Sequence, residues 1–262
     1  MTQVMIVVPA RYASTRLERK MLLSKTGKPL IQHTYEAASQ ATQASKVLVA
    51  TDHPEIEQAV HHFGGEAIMT DPNAQSGTDR IAEVARAFSD YELVVNVQGD
   101  EPEIEPEAID LAIRILREDS TAMMSTLATP IRTPEMLSDP AAVKVVMDQN
   151  QQALYFSRSP IPFPRAQEKV DFTEQTPSHY LHLGLYVYRR DFLLQIPDLP
   201  PSRMEKLESL EQLRILDHGH RIKVGIVSAS QGGIDTLQDY EAFVRRQPVS
   251  YTHLTLPTSS QV

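Results

Sequence analysis

An α/β fold built on a mainly parallel sheet is predicted by three observations. Short apolar runs such as Val4–Val8, Val47–Ala50 and Leu93–Val97 recur along the first part of the chain. Longer amphipathic segments separate them, as expected of strands joined by helices rather than by hairpins. Proline and glycine mark the joints: Pro54 and Pro106 open helical segments, and Gly64-Gly65 closes one.

The elements follow in order. Val4–Val8 is a buried strand that runs into a basic, small-residue loop, Pro9–Leu17, with Lys20 beyond it. Pro29–Ala44 reads as a helix, Val47–Ala50 as the second strand and Pro54–Phe63 as a helix stopped by glycine. Glu66–Met69 is a short strand. Thr78–Phe88 is a helix for which Ser76 or Thr78 can serve as cap. Leu93–Val97 is the next strand and Pro106–Arg117 the next helix. The pattern then changes. Met124–Thr129, Val143–Met147, Ala153–Phe156 and His182–Tyr188 read as strands, with Asp148-Gln149-Asn150 turning one hairpin. A β-rich lobe over about residues 124–188 is therefore expected inside a single domain of residues 1–248. Arg203–His218 as a helix, Ile222–Val227 as a strand and Thr236–Arg245 as a helix complete it. The tail Val249–Val262 contains no Asp, Glu, Lys or Arg and is read as either a disordered tail or a sequence-assembly artefact.

Composition narrows the function classes. The 262 residues suffice for a sizeable core, and a net charge of −9 argues against a general nucleic-acid binder. A nucleotide needs only a local cationic pocket. There is no cysteine, so disulfide and thiolate chemistry are excluded. No apolar run reaches the ~18 residues of a membrane span, and no signal peptide precedes the first strand, so a cytoplasmic protein is expected.

Two strand ends carry the chemistry. Leu93–Val97 leads into Gln98-Gly99-Asp100-Glu101-Pro102. This puts a carboxylate at the carboxyl edge of the sheet, where open α/β sheets bind ligands. Gly99 allows close backbone approach, and Asp100 offers an oxygen ligand suited to Mg²⁺; a simple turn is the other reading. Arg11, Arg16, Arg19 and Lys20 give the first loop four cations, which with loop amides suit a triphosphate. The loop is neither a Walker A sequence nor a dinucleotide-binding glycine motif.

Eight short motifs in order then resemble the 3-deoxy-manno-octulosonate cytidylyltransferase (CMP-Kdo synthetase) family. They are Pro9–Leu17, Ala50-Thr51-Asp52, Gln75–Arg80, Asn96–Pro102, Ala153–Arg158, His182–Tyr186, Leu207–Arg214 and Gly233–Thr236. The resemblance implies a Rossmann-like nucleotidyltransferase fold, Mg²⁺ dependence, a homodimer, and the reaction of CTP with the sugar acid Kdo. It implies that Asp235 joins Asp100 at the metal, although Asp235 can equally be read as a helix cap. Arg11 and Lys20 would neutralise the phosphates. It implies cytosine recognition by the Pro9-Ala10-Arg11 backbone and Ser76-Gly77-Thr78, while Ser76–Thr78 can also be no more than a turn and cap. Arg80 would support that loop or the triphosphate. Arg158 is the expected partner of the sugar carboxylate, because a guanidinium matches a carboxylate in two hydrogen bonds. Gln98, His182, Tyr186, Glu211 and Gln212 are candidates for the sugar hydroxyls, with Glu208, Glu211 and Gln212 on one helix face. His61-His62 and His218-Gly219-His220 read as surface residues.

One departure stands out. The family loop usually runs Arg-Leu-Pro-Gly-Lys-Pro, whereas here Leu17 is followed by Glu18-Arg19-Lys20-Met21. Lysine is kept, but arginine replaces a glycine whose backbone freedom it lacks. Two alternatives remain: a cytidylyltransferase for a related sugar acid (8-amino-Kdo or sialic acid), and a non-catalytic nucleotide-binding protein.

Overall fold

The computed structural model describes residues 3–14, 16–74, 76–165, 170–228 and 232–247. The tail Val249–Val262 and two residues of the motifs, Thr15 and Gln75, lie outside the described residues. Strands β1 (Val4–Ala10), β2 (Lys46–Thr51), β3 (Ala67–Met69), β4 (Leu93–Asn96), β5 (Ala122–Pro130), β8 (Tyr180–Arg189) and β9 (Arg221–Ile226) form one sheet in the order β3-β2-β1-β4-β8-β5-β9. All run parallel except β8, which pairs antiparallel with both β4 and β5. Strands β6 (Lys144–Met147) and β7 (Ala153–Ser157) make a hairpin attached to the start of β8.

The alternation within β1 explains the layers. Val4, Ile6 and Val8 face one core with Ile31, Ile56 and Ile109, whereas Met5 and Val7 face the other with Ile81 and Leu213. Helices α1 (Leu30–Ala38), α2 (Pro54–His62) and α4 (Pro106–Glu118) therefore cover one face. Helices α3 (Gly77–Ala87) and α8 (Gln212–Asp217) cover the other. A strand buried on both faces reads as a nearly continuous apolar run, as β1 does and as β4 does up to Asn96. Three short helices, α5 (Pro134–Ser138), α6 (Arg190–Leu193) and α7 (Arg203–Glu208), fill connections, and α9 (Leu237–Arg246) packs Tyr240 and Phe243 on Leu30.

Three expectations are corrected. The helix read over Pro29–Ala44 stops at Ala38, because the amides of Thr42 and Gln43 donate instead to the Asp110 carboxylate. The helix read over Arg203–His218 is two helices, α7 and α8, broken at Ser209, whose φ is 54°. There the Arg158 guanidinium captures the carbonyls of Glu208 and Ser209, and the Glu208 carboxylate accepts from Ser157 and the Arg158 amide. Glu208 therefore does not share a helix face with Glu211 and Gln212. The β-rich segment 124–188 is only partly separate: β5 and β8 belong to the central sheet, and only the β6–β7 hairpin stands off it.

The order β2-β1-β4 puts a switch point between β1 and β4, because chain connections leave these neighbours in opposite directions. The two ends approach closely here. A β-carbon added at Gly99 would lie 2.7 Å from the carbonyl oxygen of Pro9 and 3.2 Å from the sulfur of Met21. Glycine is thus a packing requirement at this edge. Gly99→Ala is expected to lower the free energy of unfolding by about 1–3 kcal/mol, measured by urea denaturation; an unchanged midpoint would refute the close approach.

Candidate active site

The cationic loop after β1 and the acidic turn after β4 meet at Lys20. Its side chain is buried, and the ammonium donates to Asp100 Oδ2 at 2.6 Å and to the carbonyl of Ile234 at 2.8 Å. Asp235 Oδ1 lies 3.5 Å from the same nitrogen and 2.8 Å from the Arg16 guanidinium. The backbone completes the junction, with the Ile234 amide donating to the Asp100 carbonyl at 2.8 Å. Asp100 and Asp235 thus converge on one cation. The cap of α9 is Thr236, which forms a reciprocal capping box with Asp239. The Asp235 carboxylate does not serve as that cap.

Arg11 is exposed at the rim, donating to the Ala74 carbonyl at 3.3 Å. Arg80 is different: its side chain is fully buried. It donates to Asp52 Oδ2 at 3.0 Å and to Thr70 Oγ1, while Asp52 Oδ1 accepts the Tyr12 amide at 3.0 Å. These contacts go to the protein itself and link α3 to the segments after β2 and β3. A buried guanidinium needs its carboxylate, and this pair fastens the loop after β1 to α3.

A cavity of about 260 Å³ opens beside β4 and β8. It brings together Ser76, Gly77 and Thr78 at the start of α3, Gln98 after β4, Tyr186 on β8, and Glu211 and Gln212 at the start of α8. Ser76 is indeed a cap, in a capping box with Asp79. Thr78 reaches further: its hydroxyl donates to Glu211 Oε2 at 2.9 Å, across 133 residues of sequence. Gln98 donates to the carbonyl of Gly184 at 3.4 Å.

On β8, His182, Gly184, Tyr186 and Tyr188 alternate onto one face, with His182 and Tyr186 rings 5.4 Å apart and Tyr186 and Tyr188 rings 6.0 Å apart. His182 Nε2 shares a 2.9 Å hydrogen bond with Thr126, and its edge meets Phe156. Burial pushes this imidazole down to about 3, so it stays neutral. Burial raises both tyrosines above their ordinary range and keeps the phenols protonated. Glu101 is pushed up to about 8, chiefly by burial and then by Asp100.

Arg158 does not line this cavity. Its guanidinium donates to the carbonyls of Glu208 at 2.7 Å, Pro140 at 2.9 Å and Ser209 at 3.4 Å. These contacts hold the turn from which Glu211 and Gln212 begin. His179 is likewise structural, bonded to the Pro162 carbonyl at 2.9 Å. Of the histidines read as surface residues, His61 and His62 are exposed, whereas His220 is half-buried against the Phe192 ring.

Sequence reasoning missed Asn96, Tyr188 and Arg214 in the cavity wall. A signal existed for two: Tyr188 follows Tyr186 at strand period, and Asn96 precedes Gln98 likewise. Among the described residues no group of three or more His, Cys, Asp or Glu could hold a metal by itself. Among them also, no helix is long and apolar enough to cross a membrane.

Comparison with known proteins agrees with this geometry. A family model described as cytidylyltransferase matches residues 5–222. The 3-deoxy-manno-octulosonate cytidylyltransferase of Geotalea uraniireducens is 50% identical over 244 residues, covering 92% of this chain and 97% of that protein. The protein of the same name from Escherichia coli is 45% identical over 236 residues, covering 90% of this chain and 92% of its own. A solved CMP:2-keto-3-deoxy-manno-octonic acid synthetase complexed with CTP superposes with a TM-score of 0.86 at 43% identity, covering 93% of this chain and 98% of that one. A cytidylyltransferase from Leptospira borgpetersenii, at 15% identity and a TM-score of 0.62, shares the fold alone. The chain therefore belongs to the 3-deoxy-manno-octulosonate cytidylyltransferase family.

Proposed function

We propose that this protein joins CTP to 3-deoxy-manno-octulosonate (Kdo), giving CMP-Kdo and pyrophosphate, in the cytoplasm where CTP is made, as an activation step for lipopolysaccharide assembly. The observation that carries the reading is one cavity lined by Ser76–Thr78, read for the nucleotide, together with Tyr186, Glu211 and Gln212, read for the sugar, with Thr78 bonded to Glu211. The anomeric hydroxyl attacks the α-phosphorus, the bond to the β-phosphate's bridging oxygen breaks, and the hydroxyl proton is released. Such transfer depends mostly on positioning and charge neutralisation.

The residues divide the work by charge. Lys20, Arg11 and Arg16 supply the cations that face the phosphates. The Pro9-Ala10-Arg11 backbone and Ser76–Thr78 offer hydrogen-bonding groups for the cytosine edge. Neutral His182, protonated Tyr186, and Gln98, Glu211 and Gln212 suit sugar hydroxyls, which both donate and accept. Arg158 supports Glu211 and Gln212 from behind.

The donor set also suits Mg²⁺. Asp100 and Asp235 offer hard oxygen ligands around one positive charge, at 2.6 and 3.5 Å from the Lys20 nitrogen. Mg²⁺ commonly takes one or two carboxylates and completes its shell with phosphates and water. These two residues would hold it, and the bound ion supplies charge neutralisation at the triphosphate. A homodimer is the expected assembly, supported by Leu154 and Phe163, which are 61% and 85% exposed in and beside the β6–β7 hairpin.

Three measurements test these statements. Pyrophosphate release should require both CTP and Kdo, and UTP should be slower by about tenfold or more, since a mismatched buried hydrogen-bonding group costs about 1–3 kcal/mol. Equal rates with UTP would remove base reading, and release without Kdo would remove the transferase assignment. Asp235→Asn should cut turnover by about 100-fold with its melting temperature nearly unchanged; near-normal Mg²⁺-dependent turnover would leave Asp100 as the sole carboxylate. Light scattering should give twice the chain mass, and a single-chain mass at every concentration would rule out the dimer.

A further inference from the structure

We propose that Arg19 and Glu55 form a latch that aims Lys20 at the phosphate edge of the site, making both of them positioning residues. The inference rests on the functional reading above only for what Lys20 does. The latch itself follows from backbone and side-chain geometry.

Arg19 has φ 52° and ψ 32°, the left-handed conformation that strains any residue with a β-carbon. It directly precedes the 3₁₀ turn Lys20–Leu22, so its backbone sets the direction in which Lys20 enters the cluster. Glycine, which the related loops carry at this position, adopts this conformation freely. Arginine does so only where its surroundings hold it.

The surroundings provide that hold. One guanidinium nitrogen of Arg19 lies 2.9 and 2.8 Å from the two oxygens of Glu55. The guanidinium carbon sits 5.0 Å from the centre of the Tyr12 ring, and Nε donates to the Tyr12 hydroxyl. That hydroxyl donates to Glu55 Oε1 at 3.1 Å, and the ring stacks on His53 with centroids 3.6 Å apart. His53 in turn caps α2 by accepting the Glu55 amide at 3.2 Å. The Tyr12 amide is fixed on Asp52. Two residues of the phosphate loop are thus fastened to three consecutive-turn residues at the start of α2. Arg19 is committed to Glu55, so its charge serves the loop's shape rather than the phosphates.

The two surface charges are each nearly half exposed, and an exposed pair by itself contributes little. The contribution expected here comes from holding a strained backbone, and it should vanish when the strain is removed. A double-mutant cycle reads this. In the otherwise unaltered protein, Glu55→Ala should lower the melting temperature and reduce kcat/KM for CTP about fivefold, with KM for Kdo within about twofold of its starting value. In the R19G background the same Glu55→Ala change should alter neither quantity. Glu55→Gln, which keeps the side chain's shape, should give a smaller loss in the same direction and serves if Glu55→Ala does not fold. Equal effects of Glu55→Ala in both backgrounds would overturn the latch. A loss of CTP binding with R19G that is independent of Glu55 would overturn it in favour of direct phosphate contact. Coupling in melting temperature without coupling in CTP affinity, measured by calorimetry, would overturn the aiming of Lys20. Failure of the unaltered protein to release pyrophosphate from CTP and Kdo would defeat the functional reading, while both the melting and calorimetric cycles would still decide the latch.

Discussion

A buried ammonium must find its acceptors inside the protein, and at Lys20 it finds them on two separate stretches of chain. Lys20 follows the first loop, Asp100 lies in the turn after β4, and Ile234 and Asp235 precede the last helix. Breaking one contact would leave charge without compensation in a poorly solvated place. The lysine therefore fixes the edge of the sheet as well as its charge. The close packing of Gly99 on the Pro9 carbonyl lets the two loops come near enough for this to happen.

From this junction the site changes character across a short distance. The junction itself is ionic, with Lys20 on Asp100 and Asp235 and Arg16 on Asp235. Along β8, by contrast, desolvation holds His182 unprotonated and Tyr186 and Tyr188 protonated. Even adjacent residues divide this way: Asp100 is paired with Lys20, whereas Glu101 lies among Leu183, Leu185 and Val227 and is pushed up to about 8. A triphosphate and a polyhydroxylated sugar ask for these two environments, one rich in fixed charge and the other in neutral hydrogen-bonding groups.

Two arginines singled out by the sequence, Arg80 and Arg158, are tied into the frame around the site. Each spends its guanidinium on protein acceptors, Arg80 on Asp52 and Thr70, and Arg158 on the carbonyls that shape the Ser209 turn. Arginine suits this work because its planar fork satisfies several acceptors at once. The left-handed residues Arg19 and Ser209 mark the two places where the frame bends the chain most sharply next to functional side chains.

The sequence by itself determined the strand–helix alternation, the location of the acidic turn after β4, and the nucleotide and sugar motifs in their order. It did so because burial on both sheet faces leaves an unmistakable apolar run, and because loops at strand ends show their polar chemistry openly. Asp100, Lys20, Thr78 and Glu211 could be singled out as candidate site residues from the sequence. That Lys20 joins two carboxylates, that Thr78 touches Glu211, and that Thr236 rather than Asp235 caps α9 were decided only by the tertiary structure. The break at Ser209 and the inclusion of β5 and β8 in the central sheet were decided there as well. The Thr236 cap is completed locally by Asp239, three residues on. The other outcomes share a physical reason: local propensity sees a residue's neighbours in the chain, whereas each of them depends on a partner dozens to hundreds of residues away.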